Sequence, residues 1–165
     1  MIGPGRRWVA RLGSVVALLG LGLGTSACAG GPPPRPRFTP GPTAMVQAAT
    51  VGGLGKILVD GKGITLYMFT LDHRGQPSVC YQFCAVEWPP LTLPSGVTKP
   101  IAGPGIKASL LGTTRRSNGQ LQVTYDGWPL YLWYGDTVPG STSGQALANA
   151  GGLWYVLRPS GQIVR

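Results

Sequence analysis

Two stretches decide the fold: Leu66-Tyr67-Met68-Phe69-Thr70-Leu71-Asp72 and Leu130-Tyr131-Leu132-Trp133-Tyr134-Gly135-Asp136. Each follows a strand-like run that ends in Asp-Gly, at Asp60-Gly61 and at Asp126-Gly127. Each is followed by a Pro-containing loop and then a tryptophan, Trp88 in the first case and Trp154 in the second. Both halves then reach a Pro-Ser-Gly turn, at Pro94-Ser95-Gly96 and Pro159-Ser160-Gly161. So many matches in one order mark a duplicated unit. The repeats run over about 53–98 and 117–163.

Outward from these blocks the pattern is β. Gly and Pro punctuate short runs rich in Val, Ile, Leu, Thr, Tyr and Trp. Lys56–Asp60 reads as a strand, Gly61-Lys62-Gly63 as a turn and Ile64–Leu71 as the returning strand of a hairpin. Gln120–Asp126, Gly127 and Pro129–Tyr134 repeat that arrangement. Trp154–Arg158 and Gln162–Val164 complete the set. Between Asp and Trp each half has a segment fit for one or two helical turns, Val79–Ala85 and Gln145–Ala150, the second with Ser143 placed to cap it. The expected fold is all-β: a small pseudo-twofold domain of two hairpin-containing repeats, a compact sandwich or barrel-like body with short helical turns.

The N-terminal part belongs to a different class. Met1–Arg11 carries Arg6, Arg7 and Arg11 and no acid, and Val15–Leu23 is unbroken apolar sequence. That stretch fits a signal peptide core and is too short to span a bilayer. Small residues then lead to Cys28, and the run resembles a lipobox, with Thr25 where that motif usually has Leu. The expected product is cut before Cys28, lipidated on that thiol and held on the extracytoplasmic face of the cell membrane. Residues 1–27 are thus a lipoprotein signal peptide. Residues 28–45 form a lipidated cysteine with a Pro/Gly-rich disordered linker, and 46–165 a single β domain. Of the fourteen Lys and Arg, five precede residue 45; nine remain in the domain against five acids, scattered and without a stripe. The domain shows no nucleic-acid module, and its mild positive charge favours anionic lipid or wall polymer only as a diffuse field.

Few residues are equipped for chemistry. In a strand Tyr67, Phe69 and Leu71 share one face, as do Tyr131 and Trp133. Two readings follow: the rings build the core while Asp72 and Asp136 cap turns, or rings and carboxylates line a ligand cleft between the halves. With Cys28 lipidated, Cys80 and Cys84 remain as a pair that should oxidise outside the cytoplasm. On a helical turn their spacing suits a disulfide. It reads as a structural staple; a redox pair is the alternative, although the spacing is not C-x-x-C. His73, the single histidine, offers a Cu(I) or Zn site with Cys80 and Cys84 as a weaker alternative. No G-x-S-x-G, S-x-x-K, H-E-x-x-H or P-loop is present, and no Ser–His–Asp set can be assembled. No cofactor is expected.

Tyr67-x-Phe69-x-x-Asp72 and Tyr131-x-Trp133-x-x-Asp136 resemble the signature of a family of predicted bacterial lipoproteins with a Y-x-[FWY]-x-x-D motif. Cys80-x-x-x-Cys84-Ala85-x-x-Trp88-Pro89-Pro90-Leu91 and Gly119-x-x-Gln122-Val123-Thr124-Tyr125 fit the same family, as does Asp136-x-x-Pro139-Gly140-x-Thr142-x-Gly144. The resemblance implies a secreted or lipid-anchored domain of paired repeats and brings no established activity. The sequence therefore points to an anchored lipoprotein whose domain binds or scaffolds at the cell envelope without catalysis, with an envelope protein or wall polymer as partner. A redox or metal-binding role for the Cys80/Cys84 loop is one alternative. A carbohydrate-binding module with exposed rings among Trp88, Trp128, Trp133 and Trp154 is another.

Overall fold

The computed structural model describes residues 44–165; the expected signal peptide, Cys28 and nearly all of the expected linker lie outside the described residues. Each repeat starts with a hairpin. In the first, β1 (Met45–Val51) pairs antiparallel with β2 (Gly55–Asp60). In the second, β5 (Leu111–Arg115) pairs antiparallel with β6 (Leu121–Tyr125). The chain then enters the motif strand, which is β3 (Tyr67–Phe69) in the first repeat. In the second it is β7 (Trp128–Pro129) and its extension through Trp133. Asp126 and Gly127 both have positive φ, 51° and 78°. That backbone is the two-residue turn that Asp-Gly favours in hairpins.

Between the repeats lie α1 (Phe83–Glu87), a two-residue strand β4 (Ile101–Ala102) parallel to β1, and a 3-10 turn at Ala108–Leu110. The chain ends with β8 (Leu147–Asn149) and β9 (Gly152–Val156), an antiparallel pair that adds to β3. Three small sheets result, ordered β2-β1-β4, β3-β9-β8 and β5-β6-β7, and they do not close into a barrel. The fold is thus mostly strand with two short helical pieces, and the repeats meet where Tyr67 opposes Tyr131 in an antiparallel bridge.

The motif strands are buried on both faces, and alternation sorts their side chains into two cores. Leu66, Met68, Leu130 and Leu132 point into an aliphatic core with Val46, Leu58, Leu91, Val123 and Leu157. Tyr67, Phe69, Tyr131 and Trp133 point into an aromatic core with Trp88, Trp154, Ile57 and Val156. Each fully buried large side chain contributes roughly 1.5–3 kcal/mol of transfer free energy.

The structure departs from the sequence reading at several places. Leu71 does not share the buried face of Tyr67 and Phe69; it is 46% exposed, because β3 ends at Phe69 and a turn follows. The segment Gln145–Ala150 is not helical: Ala146 and Ala150 have positive φ, and Leu147–Asn149 is recruited as strand β8 by β9. In the first repeat the helix begins at Phe83, four residues after Val79. β2 meets the segment leading into β3 only at the Val59↔Thr65 bridge, since the principal partner of β2 is β1. The final Gln162–Val164 segment likewise contributes a single bridge, Leu157↔Ile163.

Candidate functional site

The motif residues converge at the junction of the repeats. The backbones of Tyr67 and Tyr131 exchange two hydrogen bonds: Tyr67 N–H donates to the Tyr131 carbonyl at 2.8 Å and Tyr131 N–H to the Tyr67 carbonyl at 2.9 Å. Their side chains then cross. The Tyr67 hydroxyl donates to Oδ2 of Asp136 at 2.5 Å, and the Tyr131 hydroxyl to Oδ2 of Asp72 at 2.6 Å. Each repeat thus supplies the tyrosine for the other repeat's aspartate.

The second carboxylate oxygen of each aspartate holds its own loop. Oδ1 of Asp72 accepts the N–H of Val79 at 2.8 Å. Oδ1 of Asp136 accepts the N–H of Ser143 at 2.9 Å, at the same offset in sequence, and the hydroxyls of Ser141 and Ser143. Tyr67, Tyr131 and Asp136 have no exposed surface and Asp72 only 1%. Burial, followed by the bond to Asp136 and its charge, pushes the Tyr67 hydroxyl far above the ordinary tyrosine range. Burial and the Asp72 charge do the same to Tyr131. Burial also raises the Asp72 carboxyl; the Tyr131 hydroxyl, the Val79 N–H and the Arg116 charge pull it back.

Beside this joint the aromatic side chains form one column. Trp88 and Trp154 stack face to face, with ring centres 3.8 Å apart and planes 2° apart. Phe69 stacks on the outer face of Trp154 at 4.1 Å, and Trp133 packs on Trp88 at 4.2 Å. Tyr67 meets Trp88 edge-on, and Tyr131 meets Trp154 edge-on. Asn149 closes both indoles: its Oδ1 accepts Nε1–H of Trp88 and its carbonyl accepts Nε1–H of Trp154. Gly144 is required here, because a Cβ would lie 2.8 Å from the Trp88 ring and 3.0 Å from Tyr67.

Cys80 and Cys84 are bonded to each other, with Cα atoms 5.3 Å apart. Both thiols of a His73–Cys80–Cys84 metal set are consumed in that bond, and His73 sits exposed beside a turn. The loop carrying the disulfide is tied down by Arg116, one of the basic residues that read from sequence as scattered surface charge. Its guanidinium is buried and donates to the Cys80 carbonyl and Gln122 Oε1, both at 2.6 Å, and to Ser78 Oγ at 3.1 Å. Ser78 Oγ in turn lies 2.6 Å from the Tyr131 hydroxyl. A continuous polar chain therefore runs Arg116–Ser78–Tyr131–Asp72.

The structure brings together all eight motif residues, Tyr67, Phe69, Asp72, Trp88, Tyr131, Trp133, Asp136 and Trp154, and leaves His73 outside. Cys28 lies outside the described residues. Ser78, Arg116, Gln122, Ser141, Ser143 and Asn149 were not anticipated as partners; the one signal available was Gln122, a polar residue inside the run Leu121–Tyr125. Chemically the arrangement is a lock. Its hydroxyls remain protonated and its carboxylates are engaged on both oxygens; of the rings that a sugar would need at the surface, Trp88, Trp133 and Trp154 are buried and Trp128 is half-buried.

Two stretches of the chain, residues 49–92 and 112–158, match Lipoprotein_15, a family described as a secreted repeat of unknown function. The matches cover more than half of the chain, and the chain belongs to that family. They start within β1 and at β5, so each repeat includes its first hairpin strand. No curated protein and no solved structure matches the chain.

Proposed function

We propose that this member of a secreted repeat family is an extracytoplasmic lipoprotein, held at the cell membrane by a diacylglyceryl group on Cys28. On this reading its domain binds or scaffolds other envelope components and catalyses no reaction. The observation that carries the proposal is the crossed Tyr67–Asp136 and Tyr131–Asp72 pairing. The polar groups that the sequence motif singles out are spent on holding the two repeats together. A carboxylate fixed on both oxygens and buried is a poor acid or base, because a general catalyst must reach the proton it moves. The anchoring half of the proposal rests on the charged, apolar and small-residue order of residues 1–28. A single acyl chain holds a protein only marginally, whereas the two chains of a diacylglyceryl group suffice.

The test is metabolic labelling with a radioactive fatty acid, followed by fractionation. The wild type should carry label and sediment with membranes. Cys28→Ala should carry none and leave the membrane fraction. An unlabelled wild type would defeat the anchoring reading.

A further inference from the structure

We infer that the outer edge of β5 is a docking slot for an extended, acidic segment of another protein, which adds to the domain as a strand. The inference deepens the binding role proposed above and rests on it.

The internal symmetry supplies the argument. Leu58 and Val123 are counterparts in the two repeats. Leu66 N–H donates to the Leu58 carbonyl as Leu130 N–H does to that of Val123. Leu58 N–H donates to the Leu157 carbonyl as Val123 N–H does to that of Leu91. Because Ala48 pairs with Leu58 and Thr113 with Val123, Ala48 and Thr113 are also counterparts, and so are Val46 and Leu111.

In the first repeat this edge is covered. Ile101–Pro104 lies along β1: Gly103 N–H donates to the Val46 carbonyl at 2.7 Å, and Ala48 N–H donates to the Pro104 carbonyl at 2.9 Å. The approach is close enough to demand glycine, since a Cβ on Gly103 or Gly105 would lie 2.8 Å from a β1 side-chain atom.

In the second repeat the equivalent edge is open. Asp126 N–H bonds the Leu110 carbonyl and Arg116 N–H bonds the Gln120 carbonyl, so the inward-facing positions of β5 are Gly112 and Thr114. The Leu111 carbonyl and the backbone groups of Thr113 and Arg115 face away from β6. They have no hydrogen-bond partner among the described residues, and Thr113 and Arg115 are exposed.

This edge borders two neighbouring clefts of about 430 and 450 Å³, which share Thr98. An unpaired strand edge is a template for another chain, and natural proteins normally block it. Main-chain bonds to such an edge give affinity, and the flanking side chains give selectivity. Here the flanking charges are Lys99 in one cleft and Arg115 in the other, and neither cleft is lined by an acid. An acidic segment fits that charge. The chain's own residues 29–43 do not: they carry Arg35 and Arg37 and are studded with prolines, which have no N–H to donate.

The test is fluorescence anisotropy with the purified full chain. The probe is an eight-residue peptide of alternating Val and Glu, blocked at both ends; its Lys counterpart is the control. The Glu peptide should bind saturably and the Lys peptide should not. Thr113→Pro removes an outward N–H without touching the β6 ladder, and should weaken binding by about tenfold or more. Lys99→Glu with Arg115→Glu, a surface change that leaves the fold intact, should weaken it about as much. Absence of saturable binding, or binding indifferent to the charge-reversed variant, overturns the proposal. So does a β5-dependent dimer seen by sedimentation and lost in Thr113→Pro, which would make the occupant a second copy. None of these results alters the fatty-acid labelling outcome, so the two proposals fail separately.

Discussion

Tyr131→Phe tests the crossed joint most directly. The substitution keeps the ring against Trp154 and removes only the hydroxyl. Asp72 then loses the donor on Oδ2 and keeps a single one, the Val79 N–H on Oδ1. A hydrogen bond to a charged group contributes about 1.5–3 kcal/mol, and a buried acceptor left bare adds its own desolvation penalty. The expected loss is therefore about 3 kcal/mol. Tyr67→Phe should lose less, about 2 kcal/mol, because Asp136 retains three donors from Ser141 and Ser143. At roughly 4 °C per kcal/mol for a domain of this size, the melting temperature should fall by about 12 °C and about 8 °C respectively. Urea denaturation with unchanged m values gives the free energies, and a cycle with Asp72→Asn isolates the pair. Equal small losses in both variants, below about 0.5 kcal/mol, would show that neither hydroxyl supports its carboxylate and would refute the reasoning.

Alkaline pH should act on the same pair. Tyr67 and Tyr131 are raised in the fold above their ordinary value of 10.0, so their contribution is complete below that pH and lost as pH climbs beyond it. The urea midpoint of the wild type should fall steeply there, while that of the double Phe variant should fall less. Arg116→Ala should cost about 3 kcal/mol by stranding the buried Gln122 Oε1 and Cys80 carbonyl, and Arg116→Lys should recover little of it, as an ammonium lacks the guanidinium fork; thermal melts decide both. Cys80→Ser with Cys84→Ser should lower stability by about 2 kcal/mol, the loop-closure entropy of so small a ring, and the melting curves of wild type with and without reductant should differ by the same amount.

The sequence made the duplication legible because the residues that define it are large and identical in kind: two tyrosines and two aspartates at matched offsets, each pair followed by a tryptophan at a similar distance. It did not reveal which tyrosine meets which aspartate, since a repeat read along the chain looks self-contained and the crossing exists only once the strands pair at Tyr67 and Tyr131. The first strand of each hairpin escaped for a physical reason. Met45–Val51 has Gln47, Ala48 and Ala49 at its centre, and Leu111–Arg115 ends in Thr-Thr-Arg; both strands are only partly buried, so neither shows clean alternation. Gln145–Ala150 has helix-forming alanines, yet Gln145 uses its side chain to bond the Val156 N–H and the Val164 carbonyl. Those tertiary bonds and the β9 ladder outweigh a propensity of a few tenths of a kcal/mol per residue. Arg116 was indistinguishable from surface charge because its partners, a carbonyl, an amide and a hydroxyl, carry no opposite charge to signal the pairing.

The crossed joint bears on how the two repeats depend on one another. If each tyrosine bonded the aspartate of its own repeat, either unit would satisfy its polar groups alone, and the interface would be apolar packing. Instead, separating the repeats strips the donor from Oδ2 of both aspartates and splits the Trp88–Trp154 stack down its middle. The Tyr67–Tyr131 backbone bonds and the Trp88–Trp154 stack pair a residue with its own counterpart, and the crossed Tyr–Asp bonds pair it with its counterpart's neighbour. That is the pattern of an isologous interface between two copies of one surface. The two halves of the joint differ in their surroundings: Tyr131 also meets Ser78, which Arg116 holds, whereas Asp136 takes the hydroxyls of Ser141 and Ser143. The outer hairpin edge differs too, covered by Ile101–Pro104 in one repeat and left open along β5 in the other. The axis is where substitution would cost both halves at once, and the edges are where one half could change without the other.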